Sequence, residues 1–573
     1  MINLTSLIII PILFIVFLLY VSSTYRNKFR LVETNSFKHI TLLEEKRSKI
    51  PYVLRQYYLD VINITSSLTT CLISNTFWEE NSDWKRKKES IIRRENKVQI
   101  LKRTGLILSL ILFALIILFW FKYRANTINY QLLTGPETKD QKYNLNITLG
   151  LDGISLPFVL LVGFIMPLVY LSNWSTIDSL DAYYIIIIIL LELFLIIVFL
   201  VIDLIMFYIF FESILPPLFV LIGLYGASQK FRAGYYLFLY TLFGSLFMLV
   251  SFVKLGGDTA STYFHGYGNN NVYELLQEII WIVLFVSFSV KTPLVPVHIW
   301  LPLAHSDANV SGSIVLASIV LKLALYGFLR ILIAIFSMAT LSLIPFFFGL
   351  CALSVVYSSF TTIRQFDLKV LVAYSSIAHM ASSLLGTFSD TLYGLVGSII
   401  FGLAHGFVSP GLFILVGAIL YDRCGSRIIN YYRGLTNILP FFAFLFLLFV
   451  FGNMGVPLTG NFIGELLSLL GAYQQNIFIA SIAATSVILS AVYSIFMFNR
   501  VTGGSLSPYI HTIPDVFRKE FYILLPLLVL TLILGIYPSF ITNEIDYALS
   551  NLLLSFPLVI YTSQISIKKH KFI

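Results

Sequence analysis

Runs of roughly 17 to 25 apolar residues, the length that crosses a bilayer as a helix, recur along this 573-residue chain. They fall near 4–21, 105–121, 153–173, 182–201, 203–224, 233–254, 276–296, 309–336, 342–360, 366–388, 393–420, 439–470, 477–498 and 521–542. Such a chain has few options. Lipid offers the backbone no hydrogen-bond partner, so each run must close its bonds internally as a helix. We therefore expect an all-α, polytopic membrane protein with about fourteen transmembrane helices. The composition agrees: 58% hydrophobic, mean hydropathy +0.86 and only 12% charged, where a soluble domain carries about a quarter charged residues. The first run lacks a positive n-region and a small-residue cleavage site, so we expect it to be retained as a helix. The stretch 547–562 is either a fifteenth span or a helix along the surface.

Charge is uneven. Residues 22–104 hold 17 Lys and Arg against 9 Asp and Glu, nearly all of the net +9. The basic balance therefore belongs to one segment and does not point to nucleic acid. Its end, WKRKKESIIRRENKVQILKR (84–103), runs into the second span. It suits either a solvated helix or a surface resting on anionic headgroups. The short loops give orientation, because Lys and Arg gather on the negative side. Short loops after odd spans carry Lys230, Arg232, Arg364, Lys369, Arg423, Arg427, Arg433, Arg500, Arg518 and Lys519, and those after spans 4, 6, 8, 10, 12 and 14 carry only Lys254. Odd loops thus face the negative side and the amino terminus the positive side. The basic tail Lys568-Lys569-His570-Lys571 fits this only with a fifteenth span.

Several chemistries find no motif. Cys71, Cys351 and Cys424 are far apart, with no CxxC or Cys/His cluster for zinc, haem or iron–sulfur. No GxGxxG or GxxxxGK[ST] loop is present to cradle a nucleotide.

Ionisable residues inside the spans are the informative ones. A charge at a helix centre costs about 2.5–3.5 kcal/mol on insertion scales and usually marks an ion or proton path. The chain places Glu192, Glu212, Lys291, Lys322, His379, His405 and Glu465 there. Lys291 precedes Pro293 and Pro296 in SVKTPLVPVHIWLP, and Glu465 follows Pro457 and three glycines in NMGVPLTGNFIGELLSLL. Proline removes a helix hydrogen bond and clashes with the preceding turn, so spans 7 and 12 read as broken helices. They lie five spans apart, an odd offset that inverts topology. Spans 4–8 and 9–13 then read as two inverted five-helix repeats, and matching interruptions point to a transport site. Glu212 and Lys291 are expected to pair across the bundle as a proton switch, since pairing favours both charged forms. Tyr326 and Arg330 follow Lys322 at i+4 and i+8 on one face. The bland account is static ion pairs, with histidines that only bond a neighbouring helix. Asp152 and Asp203 are expected at membrane surfaces.

The stretches FYIFFESILPPLFVLIGLYG, VKTPLVPVHIWLPLAH, LKLALYGFLR, LVAYSSIAHM, AHGFVSPGLFILVGAILYDR and LTGNFIGE carry a resemblance. From about Gly150 to Tyr537 the chain resembles the chain 4 family of NADH–ubiquinone oxidoreductase, antiporter-like proton-pumping subunits of respiratory complex I. The resemblance implies a polar axis through the membrane arm. On it the glutamate of FFES matches Glu212, the lysine of VKTPLVP matches Lys291 and that of LKLALYG matches Lys322. The histidine of AYSSIAHM matches His379, that of AHGF matches His405, the glutamate of NFIGE matches Glu465 and the family's fourth-span glutamate matches Glu192. It further implies that this chain binds no cofactor itself, with NADH, FMN, iron–sulfur clusters and ubiquinone in partner subunits. The implied partners are the other membrane-arm subunits, neighbouring antiporter-like chains among them, and a lipid bilayer with cardiolipin. The implied location is the mitochondrial inner membrane, which the Phe/Ile/Tyr/Lys/Asn bias also suggests. Leu303 and Ala308-Asn309 depart from the family pattern around His305 and Asp307, and the 22–104 insert is longer than the family's.

The expected organisation is a first helix (1–21), a basic insert on the negative side (22–104) and spans 2 and 3 (105–173). Repeats at 182–336 and 342–498 follow, then a carboxy-terminal part (499–573). With no site for ATP or redox chemistry, the energy must come from elsewhere; one proton costs about 2.3 kcal/mol per 100 mV. One reading is a subunit of a redox-driven pump. There the Glu212–Lys291 pair is reshaped from outside, and the proton passes Lys322 and the histidines to Glu465 and, by family analogy, exits on the positive side. The alternative is a cation/proton antiporter subunit driven by an ion gradient. A third is a scaffold whose charges only brace helices.

Overall fold

The computed structural model describes residues 4–29, 82–127, 129–134, 147–174, 181–259, 264, 274–510 and 513–554. Most of the 22–104 insert and all of the basic tail lie outside them. Eleven described helices are long and apolar enough to cross a membrane. They occupy eleven of the fourteen expected positions. The other three differ in form. The first is an apolar stretch, Thr5–Val16, within helix Thr5–Phe29. The remaining two are the expected broken spans.

The seventh span stops as helix Glu274–Lys291 and resumes as Trp300–Asp307. Carbonyls freed by the break are taken up locally, with the Trp300 indole donating to Val290 O at 2.7 Å. The Val295 N–H finds Ser354 Oγ at 3.1 Å. The twelfth span splits into Pro440–Met454 and Gly460–Gln475, with Gly455 at φ 70° closing the first half in the left-handed conformation that glycine permits. Asn461 Nδ2 stitches the halves by donating to Gly452 O at 2.9 Å. Leu458 holds φ 77° in the same break. Its carbonyl fills the place where a side chain on Gly535 would begin, 2.1 Å from that Cβ position.

Interruptions in three further spans were not expected. The fifth span breaks at Ile214, between helices Leu204–Ser213 and Leu215–Tyr225. Pro216 and Pro217 supply no N–H to the turn before them. The eighth span carries π-helical turns at Leu316–Val320 and Phe328–Ile333, and the eleventh carries one at Ile414–Tyr421. Such turns cluster at functional sites.

The all-α expectation also gains a small exception. Strands Gln131–Thr134 and Leu149–Leu151 pair antiparallel between the second and third spans. Helix Ser82–Lys122 is continuous, so the basic 84–103 stretch and the second span form one rod of 41 residues, about 60 Å long at 1.5 Å per residue. Helix Ser539–Leu554 follows the last span and buries Ile545, Ala548, Leu549 and Leu552 on one side. The rest of the 547–562 stretch lies outside the described residues.

The tightest seam joins helices Leu392–Phe413 and Gly460–Gln475. A Cβ at Gly464 would sit 2.5 Å from Phe401 Cα, at Gly397 2.6 Å from Ser468 N, and at Gly471 2.6 Å from Gly394 Cα. These are backbone atoms that cannot swing aside. Small residues let helix backbones approach this closely in a membrane. We expect Gly464→Ala to cost about 1–3 kcal/mol through overpacking. This will be read as a lower dissociation temperature of the purified assembly.

Candidate proton-translocation site

Lys322 is wholly buried at the centre of the bundle. It follows the first π-helical turn of its span. Its ammonium donates to Ala317 O at 2.6 Å and meets His405 Nδ1 at 2.9 Å. His405 sits mid-helix in Leu392–Phe413, just before the π-helical turn of the eleventh span. Its ring lies 5.8 Å, centroid to centroid, from that of His379. Beyond, His379 Nε2 lies 3.4 Å from the Tyr493 hydroxyl, with Asn453 of the twelfth-span break beside it. Glu465 joins the group through the helix that carries Tyr493, Ile477–Thr502. Ser486 donates to Glu465 Oε1 at 3.3 Å. The structure thus brings together four residues read from sequence, Lys322, His405, His379 and Glu465. It adds Tyr493, which sequence reading missed because it carries no charge. Its signal was positional: Ser486, Ser490, Tyr493 and Ser494 recur at helical spacing on one face.

Glu212 and Lys291 need a correction. They form no ion pair. The Lys291 ammonium donates to Phe211 O at 3.0 Å and lies 3.5 Å from the Phe211 ring centroid. The Glu212 carboxylate keeps one buried oxygen without a hydrogen bond and has Ser245 beside it. Helix Leu204–Ser213 ends just past Glu212, and the lysine takes a carbonyl of its last turn. Glu192 is also fully buried, with neither carboxylate oxygen hydrogen-bonded and Tyr170 near it. Among the described residues no hydrogen bond or ion pair ties Glu192, Glu212 or Lys291 to Lys322.

On the negative side the structure offers residues not assigned roles from sequence. Lys369, counted there as a loop residue, is buried in the first turn of helix Leu368–Thr387 and donates to Ala308 O at 3.1 Å. His305 is fully buried, lies flat on Phe413 at 4.6 Å and has no hydrogen bond to either ring nitrogen. The charges that reach it are those of Lys369 and Lys322. Asn309, which departs from the family pattern, accepts from Gly312 N at 2.9 Å and starts the helix itself. Arg427 bonds Ser306 O and approaches Asp367 at 3.5 Å and Asp307 at 3.8 Å, closing that end. At the other end Asp203 is buried and caps its helix, accepting from Ile205 N at 2.8 Å. Asp152 pairs with Arg330. Both were expected at membrane surfaces, and both are buried under protein at the ends of spans. Among the described residues no group of three or more His, Cys, Asp or Glu could hold a metal.

The membrane family described as NADH:quinone oxidoreductase/Mrp antiporter matches residues 202–490. NADH-ubiquinone oxidoreductase chain 4 of Mycosarcoma maydis is 44% identical over 463 residues, 81% of this chain and 95% of the relative. This chain belongs to the NADH-ubiquinone oxidoreductase chain 4 family. The Arabidopsis thaliana member of the chain 4 family is 42% identical over 459 residues, 80% of this chain and 92% of the relative. A chain of respiratory complex I from Thermus thermophilus is similar in structure, with TM-score 0.71 and 27% identity over 80% of this chain and 95% of that one. A chain of the Mrp complex from a Dietzia species matches with TM-score 0.72 at 17% identity, covering 80% and 93%. That likeness extends the chain 4 fold to a second kind of assembly.

Proposed function

We propose that this chain is a membrane-arm subunit of a proton-translocating NADH:ubiquinone oxidoreductase. It carries one proton channel driven by electron transfer elsewhere in the complex. The observation that carries the reading is the buried set Lys322, His405, His379 and Tyr493, with Glu465 bonded by Ser486 of the Tyr493 helix, where the π-distorted eighth and eleventh spans meet the broken twelfth. A lysine holding a π-turn carbonyl and a histidine together can pass its proton either way along the line. Lys369 and His305 form the approach from the negative side. Glu212 and Lys291 form the switch facing a neighbouring chain, here in its open arrangement, and Glu192 biases it by its charge.

The wider reading follows from the family. The chain binds no cofactor, and NADH, FMN, iron–sulfur clusters and ubiquinone reside in partner subunits. Its partners are other membrane-arm subunits, including adjacent antiporter-like chains, and lipid that includes cardiolipin. The membrane is the mitochondrial inner membrane. Residues 182–336 and 342–498 act as inverted repeats, each contributing one broken helix.

The deciding experiment extracts the membrane in mild detergent, resolves it on a native gel, stains for NADH dehydrogenase activity and probes for this chain. We expect co-migration with a very large active complex. Migration in a smaller, NADH-inactive assembly would overturn this reading in favour of an ion-gradient-driven cation/proton antiporter.

A further inference from the structure

A second polar line leaves Lys322 toward the positive face. One turn on, Tyr326 is fully buried, its ring edge-on to Phe199 at 5.3 Å and its hydroxyl 3.4 Å from Phe199 O. One turn further, Arg330 lies 5.6 Å from the Tyr326 ring and 5.3 Å from the Tyr130 ring, and forms a buried ion pair with Asp152. A Cβ at Gly153 would sit 3.2 Å from the Tyr123 hydroxyl and 2.5 Å from Glu544 O, so the Asp152 turn is pressed against helix Ser539–Leu554. Ionisable or hydroxyl groups thus recur from mid-membrane to a half-buried carboxylate at the outer end.

The other direction is different. On the positive side of Glu465 its helix runs into the glycine seam, where Ser468 and Gly471 touch the backbones of Gly397 and Gly394. A seam at backbone contact has no room for water, which needs about 10–15 Å³ of probe-occupied space.

We propose that protons leave this subunit at the positive face through Tyr326 and the Arg330–Asp152 pair, with Asp152 the releasing carboxylate. The proposal rests on the pump reading above. The Lys322 ammonium gives its proton to a water bridging one helical turn and becomes neutral. The Tyr326 hydroxyl accepts that proton on oxygen and passes its own outward, so it never ionises. Asp152 takes the proton, becomes neutral and loosens from Arg330. It then delivers the proton to water beside Tyr123 and Glu544. The restored carboxylate recaptures the guanidinium. Arg330 stays charged throughout and repels protons arriving from outside, as fixed cations do in other pores.

The test uses the assembled complex in sealed vesicles, with Tyr326→Phe, Asp152→Asn and Lys322→Met compared. Pumping rate is normalised to complex content on native gels and followed as the positive-side pH is lowered. Phenylalanine keeps the ring packing, and asparagine keeps the cap on Ser155 N, which Asp152 Oδ1 now accepts at 2.9 Å. We expect both to slow pumping per complex severalfold, with the loss growing as the positive side is acidified. A merely structural role would lower complex content and leave the rate per complex and its pH profile unchanged. Should Asp152→Asn fail to assemble, Tyr326→Phe decides. Normal pumping in assembled Tyr326→Phe overturns the proposal if Lys322→Met is inactive. Normal pumping in Lys322→Met as well overturns the pump reading beneath it.

Discussion

Lys322→Met is expected to leave the complex assembled and to stop its pumping. The side chain is fully buried and holds two partners, Ala317 O and His405 Nδ1. Methionine fills similar space without a charge, and replacing a buried charge by an apolar group is often neutral or stabilising. Leaving the Ala317 carbonyl and the His405 nitrogen without this donor costs about 1–3 kcal/mol each, offset by removal of a buried charge that has no carboxylate partner. Proton transfer is another matter. A positioned acid or base contributes on the order of 10²- to 10⁴-fold, so the pumping rate should fall by at least about 10²-fold. Lys322→Arg sharpens the result. Arginine keeps the charge but cannot give up its proton, so it should be as inactive as methionine. NADH-driven acidification in sealed vesicles, normalised to complex content, reads both. Pumping by the arginine variant at more than half the normal rate would remove Lys322 as a proton carrier.

Glu212→Gln separates a switch from a brace. The structure shows no Glu212–Lys291 ion pair to break, since Lys291 is held by the Phe211 carbonyl. Glutamine is of the same size and hydrogen-bonds without charge. A scaffold role therefore predicts no change in stability or rate. A switch that must close during turnover predicts a rate loss of about tenfold or more, or about 1.4 kcal/mol on the limiting barrier. Unchanged pumping in a normally assembled complex would return Glu212 to a structural part.

Much of this arrangement was legible in the chain itself. Apolar runs of membrane length follow from backbone hydrogen bonding in lipid alone, and eleven of them appear as helical spans. The breaks at Lys291 and Gly455 were marked by Pro293, Pro296 and Pro457. The four residues of the central line stood out because a charge or imidazole in a span has few innocent reasons to be there. Other features leave no such trace. A π-helical turn such as Leu316–Val320 has no residue signature, and neither does the claim that Lys322 lays on its Ala317 carbonyl. Glu212 and Lys291 stood out by charge, but the sequence does not show that the lysine takes a carbonyl of the helix end, Phe211 O, in place of the carboxylate. Lys369 read as a loop cation because burial by helices far off in sequence is invisible locally. The 131–134 and 149–151 strands are short and flank residues 135–146, which carry no alternating pattern.

The contact between Leu458 and Gly535 has a consequence for how the protein is made. The twelfth-span break, with its left-handed Leu458, is backed by a residue that emerges from the ribosome 77 positions later. Until helix Arg518–Ile536 is synthesised and inserted, nothing stands behind that bend. A reading frame cut short after residue 510 would retain every ionisable residue of the central line. It would still lack the backstop that sets the angle between Asn453 and Glu465. Nonsense and frameshift lesions between codons 510 and 535 should therefore behave as lesions of the channel itself.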